Sequence, residues 1–401
     1  MPVSIARIET LLREHPLVDG HNDLAWEVRR LFGYDLDRYD LASRQTRTHT
    51  DLPRLRQGGV GAQFWSVWVP TRLGDRAVAA TLEQVDFVHQ MTARYADRLG
   101  LARTADQVEQ VFASGRIASL LGAEGGHSIG CSLAALRMLH VLGVRYLTLT
   151  HNDNVPWADS ATDEPVLGGL SAFGVEVVRE MNRIGMLVDL SHVSADTMRA
   201  ALEHSVAPVI FSHSSAAAVC DVPRNVPDDV LSRLAGNGGV CMVTFVPTFV
   251  APQAAHWRAE AAHAATEAGV RATDHEAFTA FCTTYELTHP MPRADLLDVV
   301  RHIEHVREVA GVDHVGIGGD YDGTESLPDG LQDVTGYPRL LAALADRGWS
   351  EAELVALAGG NVLRSMRDAE ATARELQRTR GPSLATYEFF DAAGGDREEE
   401  D

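Results

Sequence analysis

The sequence contains only four cysteines among its 401 residues, and it contains no long apolar run. Cys131, Cys220, Cys241 and Cys282 are scattered without short paired spacings, so we expect buried free thiols and neither a thiolate zinc site nor a dense disulfide framework. No stretch provides the roughly 18 consecutive apolar residues that a transmembrane helix needs. The N-terminus also lacks the charged-then-apolar pattern of an export signal. We therefore expect a cytoplasmic protein that does not bind membranes.

Basic residues are scarce relative to acidic ones. The chain has 35 Lys and Arg against 56 Asp and Glu, which gives a formal net charge of −21. This balance disfavours nucleic acids and anionic membranes as partners, and it would favour cationic ligands in an acidic cleft. Hydrophobic residues at 45% and charged residues at 23% are typical of a soluble globular protein with a large core.

Eight short apolar segments, most of them followed by a helical pattern, run through the chain. The predicted strands are Leu17–Gly20, Gly61–Val69, Ile117–Ala123, Tyr146–Thr150, Met186–Leu190, Val209–Phe211, Gly239–Phe245 and His314–Gly318. This alternation implies a parallel sheet of the α/β class, and eight units favour closure into a single-domain (β/α)₈ TIM-type barrel. The alternative is an open doubly wound sheet, but no phosphate-binding glycine fingerprint follows the first strand.

Helical patterns fill the intervals between the strands and extend beyond them. The predicted helices are Ile5–His15, Ala77–Leu99 with Gly100 as its cap, Leu133–Leu142, Phe173–Ile184, Ser194–His204, Asp228–Ala235, Leu296–Ala310 and residues 359–378. Residues 28–51 are predicted to be an irregular excursion, and residues 246–290 a helical insertion that is a candidate lid. We expect a barrel domain over residues 1–380 and an extension over residues 381–401 whose acidic end is disordered.

Residues that can bind metals follow the predicted strands repeatedly. His21 and Asp23 follow the first strand, Glu124 the third, His151 the fourth, His192 the fifth, His213 the sixth and Asp320 the eighth. In a parallel barrel these strand ends open on one face, where active sites are built. One such histidine alone is more often structural, but the recurrence at six strands predicts a metal site.

The ligand types favour zinc, with other divalent metals such as manganese or cobalt as less selective alternatives, because imidazoles and carboxylates occur without a thiolate. A single catalytic zinc needs three protein ligands, whereas about five strong candidates are present here. Two ions bridged by a carboxylate and a hydroxide therefore fit better, and hydrolysis is the reaction that such a site most naturally performs.

Other polar or aromatic residues are assigned structural roles. These are His127 in a turn, Asp153 and Asp189 as ligand-orienting or loop-capping residues, His302 and His305 on a helix surface, and Trp65 and Trp68 in the core. None of them is predicted to bind a metal.

Seven motifs distributed along the chain together resemble one known family. They are Asp19-Gly20-His21-Asn22-Asp23, Glu124-Gly125-Gly126-His127, Leu147-Thr148-Leu149-Thr150-His151, Val188-Asp189-Leu190-Ser191-His192-Val193-Ser194, Phe211-Ser212-His213-Ser214-Ser215, Arg224-Asn225-Val226-Pro227-Asp228 and Gly318-Gly319-Asp320-Tyr321-Asp322-Gly323. The sequence resembles the membrane (renal) dipeptidase family of the amidohydrolase superfamily from about residue 15 to residue 375.

The resemblance implies a binuclear zinc dipeptidase with a metal-bridging hydroxide as nucleophile. By position, His21 and Asp23 would hold one zinc, His192 and His213 the other, and Glu124 would bridge them. The resemblance further implies three roles around the substrate. His151 would hydrogen-bond the scissile carbonyl, Arg224 would bind the C-terminal carboxylate, and Asp320 would carry the proton to the leaving amine.

The resemblance also implies a range of substrates and an oligomeric state, and other functions compete with it. L,L and L,D dipeptides are the implied substrates, dimers are common in the family, and some members open β-lactams. The competing hypotheses are a related hydrolase of a cyclic amide, lactone or N-acyl amino acid, and a non-catalytic metal-dependent binding protein. The mammalian relatives are secreted, lipid-anchored and disulfide-bonded, whereas Asn152-Asp153 stands where one of their cysteines is expected. We therefore expect a soluble, bacterial-type member.

Overall fold

The computed structural model describes residues 4–392, apart from the side chains of residues 275, 276 and 392. Over this range, nine parallel strands form one sheet. They are β1 (Leu17–Asp19), β2 (Val60–Trp68), β3 (Leu99–Leu101), β4 (Ile117–Glu124), β5 (Val144–Thr148), β6 (Leu187–Asp189), β7 (Val209–Phe211), β8 (Val240–Val243) and β9 (Val315–Ile317).

Eight of these strands close into a ring. The order β2, β1, β9, β8, β7, β6, β5, β4 is completed by a parallel pairing of β4 with β2, from Ala62 beside Ala118 to Trp68 beside Glu124. β2 is buried along its whole length, as expected for a parallel strand covered on both faces. The predicted (β/α)₈ barrel is confirmed, and each of the eight predicted strands overlaps an observed one.

The ninth strand, β3, was not predicted. Leu99 pairs with Ile117 at the beginning of β4, on the edge that β5 occupies from Leu121 onward. The predicted helix that was to end at Gly100 ends instead at Arg94, because Leu99 is fully buried against the barrel and enters the strand ladder. The prediction that Gly100 caps this helix is therefore wrong.

Helices surround the barrel. The α-helices of residues 4–392 are α1 (Ile5–Glu14), α2 (Leu24–Phe32), α3 (Leu52–Gln57), α4 (Ala77–Arg94), α5 (Ala105–Ala113), α6 (Leu133–Leu142), α7 (Ala172–Ile184), α8 (Ala195–His204), α9 (Asp228–Leu231), α10 (Leu234–Asn237), α11 (Pro247–Val250), α12 (Pro252–Glu267), α13 (His275–Glu286), α14 (Leu296–Ala310), α15 (Tyr337–Asp346), α16 (Glu351–Val355) and α17 (Asn361–Thr379). None is long and apolar enough to cross a bilayer.

Two predicted segments differ in detail. The segment predicted as irregular, residues 28–51, begins within α2, and the helix predicted from Asp228 to Ala235 is divided into α9 and α10. The insertion after β8 is helical and consists of α11, α12 and α13. The acidic end that was predicted to be disordered lies outside the described residues from residue 393 onward.

Candidate metal centre

The structure places the seven predicted ligand and catalytic residues on one rim of the barrel. His21 and Asp23 follow β1, Glu124 ends β4, His151 follows β5, His192 follows β6, His213 follows β7 and Asp320 follows β9. All are buried except His151, which is partly buried. Parallel strands put these C-terminal ends at the same face, so residues as distant in sequence as His21 and Asp320 become neighbours.

Glu124 lies between two sets of side chains. Its Oε1 is 2.9 Å from Nε2 of His192 and 3.5 Å from Nε2 of His213. Its Oε2 is 3.4 Å from Nε2 of His21, which in turn is 3.3 Å from Oδ2 of Asp23. One carboxylate therefore faces a histidine pair with one oxygen and a histidine–aspartate pair with the other.

Three groups of these residues have the spacing of metal ligands. Within each group the ligand atoms lie within 4.8 Å of one another, and the groups are His21–Glu124–His213, Glu124–His151–His192 and His21–Asp23–Asp320. Glu124 belongs to two of the groups and His21 to two. The arrangement can therefore hold more than one divalent cation, with Glu124 shared.

Orphaned polar atoms at the rim also fit a cation. Nε2 of His21 and Oδ1 of Asp23 are buried, and neither has a hydrogen-bond partner among residues 4–392. An unpaired buried carboxylate oxygen is costly unless a cation compensates its charge. A zinc ion accepts both imidazole nitrogen and carboxylate oxygen, so the donor set fits the predicted metal.

Hydroxyl groups behind two of the histidines set their tautomers. Nδ1 of His21 is 2.9 Å from the hydroxyl of Tyr146, which donates to the carbonyl of Gly20 at 3.2 Å. Since the Tyr146 hydrogen is used there, Nδ1–H of His21 donates to Tyr146, and the lone pair of Nε2 remains available for a metal.

His213 is oriented in the same way through Ser212 and Asp189. Nδ1 of His213 is 2.8 Å from Oγ of Ser212, and that hydroxyl donates to Oδ2 of Asp189 at 2.6 Å. Oδ1 of Asp189 also accepts from the backbone N–H groups of Ser191 at 3.1 Å and Ser212 at 2.8 Å. These bonds are what the predicted orienting role of Asp189 requires, whereas Tyr146 and Ser212 were not predicted.

One signal for Tyr146 was present in the sequence. Gly122 interrupts the apolar run of β4, and a Cβ at that position would lie 1.9 Å from Cζ of Tyr146. A glycine inside a strand often marks such a close approach. Gly122 therefore provides the space in which the Tyr146 ring reaches His21.

The backbone at the rim is held in sparsely populated conformations. His192 has φ 67° and Asp320 has φ 59°, both in the left-handed region that non-glycine residues rarely adopt. Such conformations persist where surrounding contacts over-determine them, and they concentrate at functional sites. A Cβ at Gly323 would lie 2.3 Å from Oδ2 of Asp23 and 2.3 Å from Oδ1 of Asp320, so the two carboxylates need a glycine beside them.

Burial and charge shift the pKa values of two rim carboxyls in opposite directions. Burial, opposed by the charge of His21 and reinforced by Asp23 and Glu124, raises the pKa of Asp320 to about 8. Burial would also raise the pKa of Glu124, but the charges of His21 and Arg224 outweigh it and hold that pKa below its usual value.

Arg224 contributes an unpaired cation to the same region. All three guanidinium nitrogens are buried without a hydrogen-bond partner in the described part of the chain, and the group lies 5.1 Å from the ring centre of Phe249 on α11. Burial lowers the pKa of Arg224 to about 10, against the raising effects of Asp320 and Glu124. A carboxylate is the partner that a guanidinium in this setting matches best.

A cavity of about 240 Å³ opens beside His151 and is lined by Trp68, Asp153, Arg271 and Asp274, among others. The ring of His151 lies 4.3 Å from that of His192 and 5.0 Å from that of Trp68. Trp65 is a fully buried core residue as predicted. Trp68 is buried as predicted, and it also lines this cavity.

The histidines assigned structural roles divide into three cases. His127 lies in the 3₁₀ turn Gly126–Ile129, as predicted, and its Nε2 bonds the carbonyl of Val69 at 2.7 Å. His305 lies at the surface of α14 and pairs with Asp228 at 2.8 Å. His302 is fully buried, because it shares the inner face of α14 with Val299 and Val306, so the prediction that it lies on the surface is wrong.

The sequence profile of the membrane dipeptidase family, peptidase family M19, matches residues 5–380. The chain belongs to the membrane dipeptidase family. This match confirms the resemblance seen in the sequence. As a member of this family, the chain is a metal-dependent hydrolase.

Individual dipeptidases agree with this assignment. Dipeptidase verJ of Clonostachys rogersoniana is 42% identical over 390 residues, which cover 94% of this chain and 90% of that protein. Dipeptidase 3 of Mus musculus is 43% identical over 366 residues, which cover 90% of this chain and 66% of that protein. A metallo peptidase from Rhodobacter sphaeroides, crystallised with a phosphinate mimic of the dipeptide L-Ala-D-Ala, shares the fold with a TM-score of 0.72 at 24% identity, covering 88% of this chain and 99% of that one.

Proposed function

We propose that this family member is a binuclear zinc dipeptidase that hydrolyses L,L and L,D dipeptides. The observation that carries the proposal is the position of Glu124, whose two carboxylate oxygens face two separate sets of ligand-type side chains. In the proposal His21 and Asp23 would hold one ion, His192 and His213 would hold the other, and Glu124 would be shared by both. Two zinc ions bound there would lower the pKa of a shared water and offset the negative charge that develops on the carbonyl oxygen.

The chain's own residues perform the remaining steps. Arg224 binds the C-terminal carboxylate of the dipeptide through its unpaired guanidinium. His151, whose Nε2 is 3.9 Å from Glu124, donates a hydrogen bond to the oxygen of the scissile carbonyl. Asp320, grouped with Asp23 and His21, accepts a proton from the attacking water and then gives it to the leaving amine.

The prediction that L,D dipeptides are substrates in addition to L,L dipeptides is supported by one protein of the same fold. The Rhodobacter sphaeroides metallo peptidase binds a mimic of L-Ala-D-Ala, in which the C-terminal residue has the D configuration. We extend this tolerance to the present chain as part of the proposal.

A panel of dipeptides tests the proposed function. Release of free amino acids is measured for L,L and L,D pairs with the purified protein, after chelation, and after addition of Zn²⁺, Mn²⁺ or Co²⁺. We expect turnover that chelation abolishes and zinc restores, with about two zinc ions per chain by elemental analysis. Absence of metal-dependent turnover on every dipeptide would contradict the proposal, and a stoichiometry of one would contradict its binuclear part.

A further inference from the structure

The inner face of α12, in the insertion after β8, carries an arginine that the proposed mechanism does not use. The buried residues of this helix are Ala254, Trp257, Ala261 and Ala265. Arg258 lies among them, one turn from Ala254 and three residues before Ala261, so it projects from the same face. Arg258 is partly buried, whereas His256 and Glu260 on the opposite side are exposed.

Arg258 has no anionic partner among the side chains that the structure describes. Among the described side chains, which exclude those of residues 275, 276 and 392, none pairs a carboxylate with its guanidinium, and its cation–π contact is the ring of Phe278 on α13, 4.8 Å from Cζ. Burial lowers the pKa of Arg258, which shows the cost of keeping this cation away from water. A desolvated guanidinium stacked on an aromatic ring, with its hydrogen-bond donors unused, is suited to an anion supplied from outside the chain.

Arg258 is connected to the surroundings of Arg224 through two consecutive helices, α11 and α12. Arg224 stacks on Phe249 of α11, and α12 begins at Pro252, immediately after α11. The two cations also interact, because the charge of Arg258 adds to the effect of burial in lowering the pKa of Arg224. The cavity beside His151 is lined by neither arginine, and its charged lining residues are Asp153, Asp274, Arg72 and Arg271, of which Arg271 pairs with Asp153 at 3.8 Å. An anionic group therefore fits the surroundings of the two unpaired arginines.

We propose that Arg258 binds a side-chain carboxylate of the C-terminal residue, so that dipeptides ending in Asp or Glu are the preferred substrates. This inference rests on the proposed function, in which Arg224 takes the terminal carboxylate. One residue then presents two carboxylates to two guanidinium groups. The overall charge of −21 repels anions at long range, so the selectivity comes from these local contacts and not from the field of the whole protein.

Matched pairs of neutral and acidic substrates test the inference. Values of kcat/KM are measured for Ala-Asp against Ala-Asn and for Ala-Glu against Ala-Gln, with the zinc-loaded full chain. We expect the wild-type protein to prefer the acidic member by roughly ten- to hundredfold, the size of one charged hydrogen bond. Arg258→Gln should reduce this ratio to about one, mainly by raising KM for the acidic substrate, while the rate on Ala-Asn stays nearly unchanged. Arg258→Lys should keep part of the preference.

Arg378→Gln is the matched control, because it removes the same charge from an exposed position on α17. Its acidic-to-neutral ratio should equal that of the wild-type protein. Melting temperatures show whether each variant is folded, and inhibition of the wild-type enzyme by free aspartate against free asparagine gives a second measure if Arg258→Gln does not fold.

Three results overturn the inference while leaving the proposed function intact: a wild-type ratio near one, a ratio unchanged in Arg258→Gln, or an equal loss on both members of a pair. Equal inhibition by aspartate and asparagine has the same meaning. Absence of turnover on any dipeptide is a different failure, since it overturns the proposed function itself.

Discussion

At the residue scale, single side chains decide which charges can lie next to one another on the rim of the barrel. Arg224 brings an unpaired cation to within the influence of Asp320 and Glu124. Gly323 contributes no charge, but the absence of a side chain there lets the carboxylates of Asp23 and Asp320 lie close to each other. Both residues lie in loops that follow strands, where the backbone is free to take the conformation that the site requires.

We expect Arg224→Gln to lower kcat/KM for a dipeptide by roughly ten- to hundredfold, the size of one charged hydrogen bond to the terminal carboxylate. The loss should fall mainly on KM. The same dipeptide with an amidated C-terminus lacks the carboxylate, so its kcat/KM should be nearly the same for Arg224→Gln and for the wild-type protein. Steady-state kinetics on the acid and amide forms check this, and equal losses on both would show that Arg224 does not bind the carboxylate.

We expect Gly323→Ala to abolish metal binding or reduce it severely. The new Cβ would lie 2.3 Å from an oxygen of each of Asp23 and Asp320, so one of these carboxylates has to move. Zinc content and activity after dialysis measure the effect. Gly236→Ala is the control, because its Cβ would meet nothing within 4 Å. Wild-type zinc content in Gly323→Ala would mean that the carboxylates are not held as closely as the structure places them.

At the element scale, the sequence pattern predicts the strands and their ends better than it predicts the side chains that hydrogen-bond the residues at those ends. Apolar runs that end in His or Glu located the strand ends on which Glu124 and His213 lie. The three-residue β3 was missed because so short a run, directly after a helical pattern, looks like the end of that helix. Tyr146 and Ser212 were missed because a hydroxyl behind a ligand is visible only once strands from distant parts of the chain are adjacent.

His302 illustrates information that the helical pattern contained. Val299, Ile303 and Val306 form an apolar stripe on α14, and the spacing places His302 within that stripe. Its imidazole joins two other segments: Nδ1 accepts from the backbone N–H of Ala216 at 3.0 Å, and Nε2–H donates to the carbonyl of Val250 at 3.1 Å. The bond at Nδ1 needs the neutral ring, because a protonated Nδ1 cannot accept a hydrogen bond.

We expect His302 to make stability depend on pH. Burial lowers its pKa from 6.5 to about 4, so the unfolded chain binds a proton between these values and the folded chain does not. Stability therefore falls as pH is lowered from about 6.5 toward 4, by roughly 3 kcal/mol in total at 1.36 kcal/mol per unit. Urea denaturation at pH 7 and pH 5 should show a smaller decrease for His302→Gln than for the wild-type chain. The exposed His263→Gln is the control, and identical pH dependence in all three would contradict the expectation.

At the scale of the whole molecule, the rim places carboxylates from the first and last strands of the barrel close together, where their negative charges repel one another. Asp23 follows β1, Asp320 follows β9, and these two strands are paired neighbours in the ring. Glu124, in the middle of the rim, adds a third carboxylate. Cations that bind only the folded state would therefore stabilise the closed barrel as well as supply the chemistry.

We expect zinc to raise the melting temperature of the chelated protein by several degrees. A ligand at 100 times its dissociation constant adds about 2.7 kcal/mol to the stability of the folded state. Glu124→Gln should greatly reduce the shift, since Glu124 lies between both sets of ligand-type residues, whereas Asp153→Asn, in the cavity beside His151, should keep it. Thermal unfolding of the chelated and zinc-loaded forms of each protein measures the shifts. An equal shift in the wild-type protein and Glu124→Gln would place the stabilising zinc elsewhere, because the bridging carboxylate would then be unnecessary for holding it.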